Sequence, residues 1–196
     1  MKRLITLFAA MLVMAASHAA FMAVPLGTFK VKLFSRPLDI SAMIEDGELS
    51  YVKIECPTSA YSTGDIIIMA DALPSFVEGL NKMDAAMNAF KRKVHEKNYS
   101  NVKTEITGFP NVSYRWDVGQ HLQQNAPFEF TVEVDDRGNF KSSIVRQARD
   151  DDNSDFVADF YLPFDSLYNI QYIALLLSND NIQLSIKKQE LLLKMK

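Results

Sequence analysis

Residues 65–97 read DIIIMADALPSFVEGLNKMDAAMNAFKRKVHEK, and the change of hydrophobic period inside this stretch decides the fold. Asp65–Ala70 is a short apolar run bounded by Gly64 and Asp71, as expected of a central strand covered on both faces. From Leu73 to about Lys97 the apolar residues Leu73, Phe76, Val77, Leu80, Met83, Met87, Phe90 and Val94 then fall at helical spacing. Pro74 lies in the first turn, where its missing N–H does no harm. Lys91, Arg92, Lys93, His95 and Lys97 crowd the last two turns, where positive charge complements the carbonyl end of the helix dipole. At ~1.5 Å per residue such a helix is roughly 37 Å long, enough to cross a sheet with one stripe packed on it. The basic cluster reads as a solvated helix end, and the Met83/Met87 pair as core filler.

On either side of this segment period two prevails. Thr28–Phe34 sets Phe29, Val31 and Leu33 against Lys30 and Lys32, and Leu49–Cys56 alternates likewise. Ser35–Glu48, with Pro37 and Gly47, reads as a connection. After the helix, Val102–Thr107 and Val112–Asp117 flank Gly108-Phe109-Pro110-Asn111 in a hairpin-like arrangement. Phe128–Asp135 and Phe140–Arg149 flank Asp136-Arg137-Gly138-Asn139. Phe128, Phe130, Val132 and Val134 form one apolar face of the first of these, while Glu129, Thr131 and Glu133 oppose Lys141, Arg146 and Arg149 on a wet face. Phe156–Leu162 is a further strand, ended by Pro163. For 165–178 a helix capped by Asp165 is preferred over a strand, with a terminal strand at Ile182–Lys187.

The order implies an α+β fold: a mostly antiparallel sheet of six to eight strands, a long amphipathic helix on one face and a second helix near the C-terminus. At the level of architecture alone it resembles folds in which helices sandwich an antiparallel sheet. Nothing in that resemblance specifies an activity.

Residues 1–19 read as a secretory signal peptide. Lys2 and Arg3 are a positive start, Leu4–Ala16 is apolar but for Thr6, and Ser17-His18-Ala19 offers small residues for cleavage after Ala19. Retention as an anchor is the alternative, and both readings export the remainder, to a periplasmic or extracellular location. Residues 20–196 then form a single α+β domain without a transmembrane segment. Loss of Lys2 and Arg3 takes the net charge from −3 to −5. An acidic chain argues against a nucleic-acid partner and against adhesion to anionic lipid.

Chemistry-bearing motifs are sparse. Cys56 is the one cysteine, so no intramolecular disulfide forms, and its alternation with Val52 and Ile54 places it on a buried face. The alternative is a nucleophile or an intermolecular disulfide partner. Asp150, Asp152 and Ser154 offer oxygen ligands at the start of a candidate calcium loop. That pattern lacks the turn glycine, whose position Asp155 occupies, and the closing glutamate, replaced by Tyr161. His95 and His121 are too few for a zinc site, and no phosphate-binding loop or dinucleotide fingerprint appears, so no cofactor is expected. Phe109, Tyr114 and Trp116, gathered near one turn, are the candidate ligand-binding residues; the alternative makes Tyr114 and Trp116 the inward face of their strand. The expected function is an exported, non-catalytic binding module for a protein, glycan or apolar ligand. The alternative is a small exported hydrolase using carboxylates that the fold brings together, Glu45, Asp46, Glu48 and Asp65 being available.

Overall fold

The computed structural model describes residues 21–34, 36–57, 63–95, 100–116, 121–146, 160–164 and 166–195. Among them, ten strands divide into two antiparallel sheets. Strands β1 (Phe21–Phe29), β2 (Leu38–Glu45), β3 (Glu48–Pro57) and β4 (Thr63–Met69) form a meander, extended by β6 (Val112–Trp116) and β7 (His121–Gln123). The smaller sheet runs β10 (Phe160–Phe164), β9 (Phe140–Arg146), β8 (Phe128–Val134), β5 (Val102–Ile106). Helix α1 (Leu73–His95) leaves β4 after a single turn, while α2 (Leu167–Leu176) and α3 (Asn179–Lys194) follow β10.

One continuous apolar core joins both sheets and all three helices. Every residue of the anticipated α1 stripe is buried or packed against this core. The helix lies on the four-stranded sheet, where the Phe76 ring meets Phe130 edge-on at 4.9 Å. Further along β8, Phe128 packs instead on Tyr114 of the six-stranded sheet, at 6.2 Å. The apolar face of β8 is therefore shared between a helix and the opposing sheet. Gly79 makes the helix contact possible, since a Cβ there would stand 2.7 Å from the Phe109 ring and 2.8 Å from that of Phe130.

Several elements depart from expectation, each for a physical reason. Leu38–Glu45 is a strand rather than a connection: Leu38, Ile40, Ala42 and Ile44 alternate inward, but small Ala42 and outward Met43 blunt the pattern. The strand expected at Thr28–Phe34 lies earlier, at Phe21–Phe29, and ends where its partner begins, at Phe29 opposite Leu38. The chain then turns, the Phe34 N–H donating to the Val31 carbonyl at 3.1 Å, and leaves Leu33 exposed.

Residues 108–111 do not close a hairpin. β5 pairs with β8 and β6 with β4, so this link passes from one sheet to the other, carrying Phe109 into the core. Register sets Arg146 opposite Phe128 and Val145 opposite Glu129, and Thr131 with Ser143, in the middle of the face expected to be wet, is buried; Arg149 lies outside the described residues. β10 continues through Pro163 to Phe164, because an edge strand tolerates a residue without an N–H. The expected strand at Ile182–Lys187 is helix α3: Ile182 and Ile186, one turn apart, are its buried residues. Ser178 ends one helix and begins the next, its hydroxyl donating to the Leu175 carbonyl at 2.7 Å and accepting from the Asn181 N–H at 3.3 Å.

Candidate functional site

The structure puts the aromatic candidates to structural use. Phe109 and Tyr114 are buried, and Trp116, partly covered, stacks on Tyr114 with centroids 5.6 Å apart. The Tyr114 ring occupies the space that Gly64 leaves: a Cβ on Gly64 would lie 2.8 Å from the Tyr114 Cζ. Tyr114 also meets Phe160 of the other sheet at 5.1 Å. Cys56, opposite Gly64 on the same face, is fully buried, and that burial pushes its thiol well above the usual range, so it lacks the thiolate that nucleophilic chemistry requires. Asp150, Asp152 and Ser154 lie outside the described residues, as does Asp117. Among the described residues no group of three or more His, Cys, Asp and Glu side chains is placed to hold a metal ion.

Chemistry gathers instead on the outer face of the six-stranded sheet. Register sets Asp39 opposite Glu55, Glu55 opposite Asp65, and Asp65 opposite Arg115, a polar row crossing four strands. Lys53 reaches along its own strand to Glu55, with Nζ to Oε2 at 3.1 Å. Asp65 is half-buried, and its Oδ1 meets no hydrogen-bond donor among the described residues. Burial is the largest cause holding the Asp65 carboxyl above its ordinary range; Glu55 adds to it, whereas Lys53 and Arg115 oppose it. The sheet thus presents two adjacent carboxylates in unequal environments. Of the four acids anticipated for such a pair, Asp65 is in the row; its partner is Glu55.

At the other end of that face the row is apolar. Ala23, Met43, Tyr51 and Met69 stand side by side across β1–β4, and the Phe21 ring lies 6.2 Å from that of Tyr51. Phe21 is 51% and Met69 37% exposed. Beside them Ser50, Met69, Ala70, Asp71 and Asn111 line a hollow of about 410 Å³. Its shape follows from local irregularity. Met43 pairs with Tyr51 and Ile44 with Leu49, so Ser50 is the extra residue of a bulge. Asn111 takes a left-handed conformation, φ 57°, its side-chain amide donating to Asp71 Oδ2 at 2.7 Å and its backbone N–H to Asn125 Oδ1 at 3.1 Å. The hollow therefore sets a fixed carboxylate–amide pair beside exposed Met69, whose cross-strand neighbour is Tyr51.

Neither the bulge nor the register of the polar row has a signature in local sequence. The signal available was the outward positions of alternating strands: Met43, Tyr51 and Met69 are large apolar residues on the wrong face for a core. No family model matches the chain, and no curated protein or solved structure does either.

Proposed function

We propose that this is an exported, non-catalytic binding module that takes its ligand on the outer face of the six-stranded sheet. The observation that carries the reading is the grouping of exposed Phe21 and Met69 with half-buried Tyr51 beside the Ser50–Asp71–Asn111 hollow. Apolar area that the core does not use adjoins polar groups held in one orientation by a bulge and a left-handed turn. Such a surface suits a ligand with an apolar face and hydroxyl or amide groups, a glycan or a peptide segment. Export rests on the leader-like residues 1–19.

Amide NMR of the labelled protein against a panel of soluble oligosaccharides and peptides tests this. Shifts confined to Ser50, Tyr51, Met69 and Asn111, abolished by Tyr51→Ala, support the reading; ligand-induced shifts confined to other surfaces would sink it.

The Glu55–Asp65 pair favours a second reading, a carboxylate-based hydrolase. A carboxyl held above its ordinary range by burial, with a second carboxylate beside it, is an arrangement from which general acid catalysis is built. Release of reducing ends from the same oligosaccharides, lost in Glu55→Gln and in Asp65→Asn, would establish it in place of the binding module.

A further inference from the structure

Helix α3 carries two apolar stripes, and the fold covers one. Ile182 and Ile186 point into the body. Leu184, Leu191 and Met195, spaced i, i+7, i+11, fall on the opposite side of the helix and are 67%, 61% and 83% exposed. Leu192 is exposed as well, and from Glu190 to Met195 every residue is, so the end of the helix stands clear of the body. Lys187, Lys188 and Lys194 interleave with these leucines; all three are exposed, and none meets a carboxylate among the described residues.

We propose that α3 docks in the plane of an anionic membrane surface. Leu184, Leu191, Leu192 and Met195 enter the boundary between headgroups and acyl chains, and Lys187, Lys188 and Lys194 lie over the phosphates, their stems extended along the apolar surface. Charge selects this occupant. The whole chain is acidic, 24 carboxylates against 21 basic side chains, yet residues 187–194 hold three lysines and a single glutamate, Glu190, around the exposed leucines. The net acidity that argues against lipid adhesion is an average; here it is locally reversed, and it turns the rest of the molecule away from the surface. A second copy fits less well. Leu184, Lys188, Leu191 and Met195 follow the four-three-four spacing of a coiled-coil seam, but Lys188 would sit in the seam with Lys187 and Lys194 beside it, pressing like charges together. This inference does not depend on the sheet-face ligand site.

Vesicle flotation tests it, using the protein as isolated from its producing cells, its intact mass measured, and variants of the same length. Vesicles are phosphatidylcholine alone or with about one third phosphatidylglycerol, the proportion that gives a lysine cluster a surface potential to read. The expected result is capture by the anionic vesicles at low salt and release at high salt. The double variants Lys187→Glu/Lys188→Glu and Leu191→Ser/Leu192→Ser lose capture about tenfold or more, with melting curves that overlay the wild type. Equal capture of wild type and variants, or no capture, overturns the proposal. So does a dimer in sedimentation equilibrium that Leu184→Glu dissociates while anionic vesicles bind nothing, which would assign the stripe to a second copy.

Discussion

Helices α1 and α3 are built to the same recipe and used differently. Both are amphipathic, and both carry lysines toward the carboxyl end: Lys91 and Lys93 in one, Lys187, Lys188 and Lys194 in the other. In α1 the apolar residues make one stripe, and the four-stranded sheet with its neighbours covers it from Leu73 to Phe90. In α3 the body covers Ile182 and Ile186 and leaves a second stripe in solvent. A basic helix end by itself is a solvated terminus. A basic end whose leucines have no cover is a surface with something left to bind.

Substitutions can break or sharpen that contrast. The largest effect is expected at Phe130, on which α1 rests. Phe130→Ala should cost about 3–5 kcal/mol in urea unfolding, since the fully buried ring leaves a cavity between helix and sheet. Ile182→Ala, on the covered stripe of α3, should cost about 2–4 kcal/mol. Gly79→Ala comes next. Helix propensity alone favours alanine by about 1 kcal/mol, but a methyl driven into the Phe109 and Phe130 rings should make the net change a loss of about 1–2 kcal/mol. Leu191→Ser, on the uncovered stripe, should alter stability by no more than about 0.5 kcal/mol. Should it cost as much as Ile182→Ala, the two stripes of α3 would be equally structural and the contrast with α1 would vanish.

The smallest effect is a matter of slope with pH. Burial holds the Asp65 carboxyl above its ordinary range in the folded protein, so the folded state takes up that proton more readily than the unfolded chain. Between the unfolded and folded values, stability should therefore rise as pH falls, the reverse of an ion-paired aspartate. Asp65→Asn should be the more stable protein at pH 7, and its advantage should shrink as pH falls from the folded toward the unfolded value and be gone below it. Melting temperatures of the two proteins across that window check the sign.

How much of this was readable in the chain follows from the range of each interaction. α1 and β4 were plain, because a long stripe and an apolar run are local facts. β2 was hidden by Ala42 and Met43, which soften an alternation that its neighbours' pairing then enforces. Ile182–Lys187 suits a strand as readily as a helix, because Ile182, Leu184 and Ile186 satisfy either period; the fold chooses the helix by burying the pair one turn apart. The parting of β5 from β6 could not be read at all, since Gly108 to Asn111 suits a hairpin and only long-range pairing redirects it. The same holds for the outer face. Glu55 and Asp65 meet by register alone, and the hollow depends on a one-residue bulge at Ser50. Phe109, Tyr114 and Trp116 are aromatics near a turn, and that turn is where the chain crosses between sheets, so the core claims Phe109 and Tyr114.

That crossing has a consequence for how the molecule comes apart. β5 closes one edge of the smaller sheet; four residues after Gly108, β6 is hydrogen-bonded to β4 in the interior of the larger one. With Phe109 wedged against Phe76 and Phe130, the link has no slack to let either sheet dissolve while the other persists. The two sheets should therefore open as one cooperative unit, with amides of β4 and β8 exchanging with solvent at a common rate set by global unfolding.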